Sequence, residues 1–326
     1  MTTPHSITLI WSPYHVGLRD VGPGAGPNFL RSKGMLASIA ELGLPVREIE
    51  VPGFEPNDFQ GDIGRSFEVL RRTARLVAQE REAGSFPVVV AGNCTSTVGV
   101  AAGLYASGTV DSAQAGCVWF DAHDDFNTPD TVLSGYFDSM PISMLAGQCW
   151  RGLLATIPGF RPLSLDHVAH VGMRDVNEME RARVLEAGFD VVWGKGAPTP
   201  PPQKGSDSRV HHGDSDGVDF PGQLRGILEK KRLGPTMVHL DLDCLDVSLG
   251  KVNSFSCAGG LMERDLVACL ETAASLTQPV SLTLASWDPS CDPEGAQNIA
   301  EIAIRAVKAF LSAMMSRGVL GRKIES

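Results

Sequence analysis

Short apolar runs alternate along the chain with stretches whose apolar residues recur at helical spacing. This is the pattern of successive β-α-β units building a parallel sheet. Eight runs read as strands, at 7–11, 46–51, 88–91, 116–120, 167–171, 189–193, 238–241 and 280–285. Gly/Pro punctuation leads into a helix near Asn28, residues 65–83 read as a long amphipathic helix, and residues 296–315 read as a closing helix. Several strands run out into polar residues, at the carboxyl edge where open α/β sheets build their sites. One segment, 195–222, is rich in Pro, Gly, Ser and Asp and has no hydrophobic period. It reads as a long surface loop inserted in one domain spanning 1–326, because strand–helix alternation resumes beyond it.

Composition narrows the classes. With 43% hydrophobic and 20% charged residues, the chain has apolar material for a large core, which excludes disorder as its main character. The 28 basic against 38 acidic residues give a net charge of -10, which argues against nucleic acid as a partner. No basic leader precedes an apolar stretch, and no run of about 18 apolar residues occurs, so a cytoplasmic protein with no membrane partner is expected. The seven cysteines lack CxxC spacing and read as reduced thiols, small core residues except for Cys94.

Chemistry concentrates at two strand ends. In VWFDAHDDFNTPD, an apolar strand ends at Phe120 and Asp121, His123 and Asp125 follow at alternate positions, which sends the three side chains the same way. In MVHLDLDCLD, Asp241 and Asp243 repeat the arrangement. The first motif alone fits a turn or N-cap cluster as readily as a metal site. Both together point to metal: four carboxylates and an imidazole on one edge repel one another unless cations lie between them. A carboxylate-rich set with one His suits hard or borderline divalent ions, and so many bridging oxygens suit a pair of them.

These motifs resemble those of the arginase/agmatinase (ureohydrolase) family, over most of the chain. The resemblance implies an α/β fold, a single three-layer domain with an eight-stranded parallel sheet. It further implies a binuclear manganese site, a small-molecule substrate, and a homo-oligomer, trimeric or hexameric. Asp121, His123 and Asp125 match the family's DAHxD motif, and Asp241 and Asp243 its DxD motif. VGMRDV at 171–176 matches its GLRDV strand, and Asp288-Pro289 its last E-x-N-P element. By that pattern Asp121 and Asp241 bridge the two ions, Asp125 completes one, and His123 and Asp243 complete the other.

The departures bear on specificity. Where the family carries GGDHS with a metal-binding His, this chain has AGNCTS, placing Cys94 at the ligand position. Cys94 is either a thiolate ligand, shifting preference from Mn toward Zn, Co, Ni or Fe, or a neutral buried thiol that leaves one ion weakly held. The family's catalytic His in SGNxHG falls on Asp138. A carboxyl beside two cations should have a depressed pKa and be a poor acid unless shielded, so Asp138 either orients a cationic or hydrogen-bonding part of the substrate or serves the loop. The guanidinium-holding Glu falls on Ser286, with Asp288 two residues on, and the α-amino-binding Asp becomes Asn177. Asn127 and Ser134 are retained at carboxylate-recognising positions. Catalytic candidates are therefore Asp125 and Asp138. Substrate-binding candidates are Asn127, Ser134, Asn177, Ser286 and Asp288, and arginine itself is not the expected substrate.

Other residues read as structural. VHHGDSDG resembles a deacetylase HHGD run only superficially, and His211 and His212 are expected in solvent. His15 follows the first strand, where it either lines the cleft or, as a lone loop histidine more often does, serves structure; His239 reads as packed or hydrogen-bonded within the sheet, and Met140 with Met144 as a helix core stripe. Residues 22–26 (GPGAG) lack the features of a phosphate cradle. The expected activity is hydrolysis of a non-peptide C–N bond of an amidine- or guanidine-type molecule by a metal-bridging water held by Asp121 and Asp241. Two alternatives are an arginase-fold hydrolase of an amide, formyl or ureido group, and a non-catalytic metal-binding relative.

Overall fold

The structure, a computed structural model, describes residues 3–196 and 217–321. All eight apolar runs form strands: β1 (Ser6–Ser12), β2 (Val46–Glu50), β3 (Ser85–Ala91), β4 (Gly116–Phe120), β5 (Val168–Met173), β6 (Asp190–Trp193), β7 (Pro235–Asp241) and β8 (Gln278–Ala285). They lie in one sheet of order β2-β1-β3-β8-β7-β4-β5-β6, with every neighbouring pair parallel. This is the expected fold class. Several strands start earlier than their apolar runs suggest; β7 begins at Pro235 and β8 at Gln278. His167 belongs to a helical turn before β5.

Helices cover both faces, as an all-parallel sheet requires. α1 (Gly26–Ser32), α2 (Met35–Ala40), α6 (Phe220–Lys231), α7 (Glu263–Leu276) and α8 (Ala296–Ser316) pack on the face formed by Leu9, Val88, Val118, Leu240 and Leu282. α3 (Gly61–Glu82) and α4 (Ser96–Ala106) pack on the opposite face, against Ile10, Val89, Cys117, Trp119 and Met237. α5 (Glu178–Ala187) opens with a reciprocal cap, in which Asn177 accepts from the N–H groups of Met179 and Glu180 while Glu180 accepts from the Asn177 N–H. Among the described residues no helix is long and apolar enough to cross a membrane.

The segment expected as a loop at 195–222 lies mostly outside the described residues, as do His211 and His212. Its end differs from expectation, since 220–222 form the first turn of α6, started by Asp219 accepting from the Gly222 N–H at 2.9 Å. All seven cysteines are free, but Cys257 and Cys291 are only half-buried instead of core residues. Met140 and Met144 are buried, although Met140 precedes its short helix, Pro141–Leu145. Gly24 and Gly26 of GPGAG serve close packing at the carboxyl edge. A Cβ on Gly26 would sit 2.3 Å from the Trp287 carbonyl oxygen, and one on Gly24 would sit 2.9 Å from the His15 nitrogen.

Candidate metal centre

Three strands in the middle of the sheet deliver the site. β4 ends at Phe120 and releases Asp121 and His123, β7 ends at Asp241 with Asp243 in the following turn, and the loop after β3 carries Asn93 and Cys94. The order β3-β8-β7-β4 places these ends side by side. Ligand atoms of Cys94, Asp121, His239 and Asp241 all lie within 4.8 Å of one another, as do those of Asp121, His123 and Asp243. Asp121 belongs to both groups.

The hydrogen bonds hold these side chains in place. The Cys94 thiol donates to Asp241 Oδ2 at 2.9 Å, and Trp119 Nε1 donates to Asp121 Oδ2 at 3.0 Å. His123 Nδ1 lies 3.3 Å from Asp121 Oδ1 and 3.4 Å from Asp243 Oδ2, with Nε2 3.6 Å from Asp175 Oδ2. Asn253 Nδ2 donates both to Asp243 Oδ2 (2.9 Å) and to the Ser286 carbonyl (3.0 Å), linking the β7 turn to the end of β8. Behind the turn, the Arg174 guanidinium donates to the carbonyl oxygens of Gly172, Asp243, Cys244, Leu245, Cys257 and Ala258. The arginine of VGMRDV is thus the clamp on the DxD segment.

Burial and crowding shift most of these groups toward their neutral forms. Burial, then the neighbouring carboxylates, raises Asp121, Asp125 and Asp241, and the same causes push the Cys94 thiol well above its usual value. Burial opposes the charged form of His123 too, but Asp243, Asp121 and Asp175 together raise its pKa well above normal. Asp243 is the exception: burial works to raise it, and His123, Asn253 and the Ala122 N–H outweigh that and hold it below the usual range. A buried group of three raised carboxylates is what a cation would relieve. The donor set fits divalent metal on further grounds, since Asp125 Oδ2 and His239 Nε2 are buried with no hydrogen-bond partner.

A model of the Arginase family matches residues 5–198, more than half of the 326-residue chain. The chain belongs to the arginase family. It is similar to the arginase of Agrobacterium fabrum, 25% identical over 323 residues that cover 96% of this chain and 92% of that one. It is also similar to the arginase of Bacillus caldovelox, 25% identical over 295 residues, covering 88% and 92%. The fold is shared with Entamoeba histolytica arginase in complex with L-ornithine, at a TM-score of 0.75 and 18% identity over 95% of this chain and 99% of that one. It is shared too with proclavaminate amidino hydrolase from Streptomyces clavuligerus, at a TM-score of 0.62 and 17% identity over 96% and 93%. As a member of the arginase family, the chain is a hydrolase acting on carbon–nitrogen bonds other than peptide bonds.

Not every expected site residue of this arginase-family chain lies among the clustered ligand atoms. Asp125 sits next to them at a positive φ of 47°, outside both close groups. Asp138 is buried and its carboxylate is already engaged: Oδ2 accepts from Asn93 Nδ2 (2.6 Å) and the Cys94 N–H (2.9 Å), Oδ1 from the Thr95 N–H (2.9 Å). Burial outweighs these donors and pushes its pKa up to about 6 in the metal-free chain. Asn127 is held by the start of α5, its Nδ2 donating to Glu180 and its Oδ1 accepting from Arg183 at 2.6 Å and from Thr131. Asn177 Oδ1 caps that helix. Ser134 Oγ accepts from the Tyr136 N–H, and Asp288 Oδ1 accepts from the Ser290 N–H and hydroxyl. Ser286 is buried at a positive φ of 70°.

Sequence reasoning missed an arc of rings beside the site. His15 lies 5.9 Å from Tyr136, Tyr136 5.8 Å from Phe255, and Phe255 6.0 Å from His123. Phe255 is 52% exposed. His15 also meets Asn93 through Nδ1 at 3.1 Å. Tyr136 and Phe255 come from separate loops, and no spacing in the sequence signals their meeting.

Proposed function

We propose that this arginase-family chain is a binuclear metal-dependent hydrolase that cleaves a C–N bond of an amidine- or guanidine-type small molecule other than arginine. The observation that carries the reading is the convergence of Cys94, Asp121 and Asp241 with His123 and Asp243 from separate strand ends within ligand reach. Asp121 and Asp241 would stand between two divalent ions, with Cys94 and Asp125 on one side and His123 and Asp243 on the other. By family the ions are manganese, and the thiolate of Cys94 favours Zn, Co, Ni or Fe in its position. Bound there, such ions supply an acidified water and polarise a trigonal carbon. The chain's own side chains orient the reactants: Asn253 and the Arg174 clamp fix Asp243, and Asp138 fixes the Cys94 loop.

Substrate choice follows from Ser286 and the ring arc. A hydroxyl cannot hold a planar guanidinium in the bidentate way a carboxylate does. Tyr136 and Phe255 offer aromatic surface beside His123. The neutral hydroxyl of Ser286 also favours a second reading, hydrolysis of an amide, formyl or ureido group. Both are tested by loading the purified protein with Mn, Co, Ni, Fe or Zn and assaying guanidino, amidino, ureido, formamido and amide compounds for urea, formate or ammonia release. Guanidino or amidino turnover at least about tenfold above arginine supports the first reading. Turnover confined to neutral amides or formyl groups supports the second, and no C–N cleavage with any metal overturns both. A cytoplasmic homo-oligomer, trimeric or hexameric, remains part of the proposal, and sedimentation of the purified protein checks the assembly.

A further inference from the structure

His239 is a strand residue that should contribute only packing. It lies in the middle of β7 and is fully buried, with its ring stacked on Trp119 of β4 at 3.6 Å between centroids. Its Nδ1 is 2.8 Å from the Thr97 hydroxyl at the start of α4, while Nε2 has no partner. A buried imidazole nitrogen without a partner is costly to leave in place unless something occupies it.

The neighbours make the ring more than an orphan. A ring nitrogen of His239, the Cys94 sulfur and one carboxylate oxygen each from Asp121 and Asp241 lie within 4.8 Å of one another. Metal-bound histidines commonly pass their other ring N–H to an oxygen acceptor, which fixes the tautomer. Thr97 is placed for that role. Trp119 braces the set twice, stacking on His239 and donating to Asp121 Oδ2.

We propose that His239 is a metal ligand and that, with Cys94, Asp121 and Asp241, it forms a position of mixed sulfur, nitrogen and oxygen donors suited to zinc. The proposal rests on the binuclear reading above. In it, the imidazole that the Cys94 position lacks is restored from β7, which β8 separates from β3 in the sheet. The two positions then differ in kind: one has a thiolate and an imidazole, the other has His123 and Asp243 with carboxylate oxygens and prefers a harder ion. Occupation of the first position releases the Cys94 thiol proton to solvent as the sulfur–metal bond forms.

The test uses the full-length wild-type protein crystallised with zinc, with an anomalous map at the zinc edge. The expected peak lies about 2.0–2.1 Å from a ring nitrogen of His239 and about 2.3 Å from Cys94 Sγ. A peak at Cys94 that is more than about 3 Å from both ring nitrogens overturns the proposal and leaves the binuclear reading standing. Absence of zinc from the whole cluster overturns both. In solution, chelator competition should show H239A losing at least about tenfold in affinity at one of two zinc positions, and T97V losing less at the same one. Folding of each variant is checked by its circular dichroism. Wild-type affinity at both positions in folded H239A counts against the proposal.

Discussion

Cys94 and Asp241, 147 residues apart in the chain, meet through a thiol hydrogen bond of 2.9 Å. The thiol is protonated in these surroundings, because burial and four nearby carboxylates oppose a thiolate. Metal uptake through the sulfur, as proposed, would displace that proton. Calorimetric titration with zinc in buffers of different ionisation enthalpy should therefore show at least about one proton released per chain. C94A should remove about one proton from the count, and an unchanged count would mean that the sulfur is not a ligand.

Asp138 anchors the Cys94 loop with three accepted hydrogen bonds. D138A strands three buried donors and should lower stability by about 2–4 kcal/mol in denaturant titration. It should weaken metal at the Cys94 position as well, and D138N should recover part of both. If D138A keeps wild-type stability and metal content but loses turnover, Asp138 acts on the substrate instead.

Asp125 gives a pH dependence with a definite sign. Its pKa is raised well above the usual value by burial first, then by the charges of Asp121, Asp138 and Asp241. The folded chain thus keeps a proton that the unfolded chain releases near about pH 4. The stability tied to that proton is present below this range and is lost as pH rises through the folded value. Asn at this position does not titrate, so metal-free D125N should exceed metal-free wild type by about 1–3 kcal/mol near pH 8. The gap should shrink toward about pH 4. A gap that grows on acidification would refute the assignment.

Arg174 spreads one guanidinium over six carbonyl oxygens around the DxD turn. Lysine presents its donors from a single point and cannot span that ring. R174K should cost about 2–4 kcal/mol and loosen metal on the Asp243 side before the Cys94 side. Equal loss at both positions would show that the clamp acts on the whole domain.

The sheet was legible because strands buried on both faces appear as nearly continuous apolar runs, as in Gly116–Phe120. Asp121, His123, Asp241 and Asp243 were legible as well, since alternation past a strand end dictates a common direction. What escaped depends on which strands become neighbours. His239 reads as packing until β7 lies beside β4 and Trp119 stacks on it. Asn127 and Asn177 matched recognition positions, yet Glu180 and Arg183 of α5 take up their polar atoms, a competition between side chains that one-dimensional spacing does not express. Asp138 likewise acquired its partners only when its loop met residues 93–95.

The ligand atoms lie at the ends of β3, β4 and β7, so no short stretch of chain contains the centre. During synthesis, Asp121, His123 and Asp125 emerge long before Asp241 and Asp243. An isolated run of thiols and carboxylates would rank divalent ions by intrinsic affinity, with copper ahead of zinc and manganese last. Here a cation would meet all the proposed ligands only once the sheet is complete. On the proposed function, metal selection would follow folding, with the order of strands in the sheet as the filter.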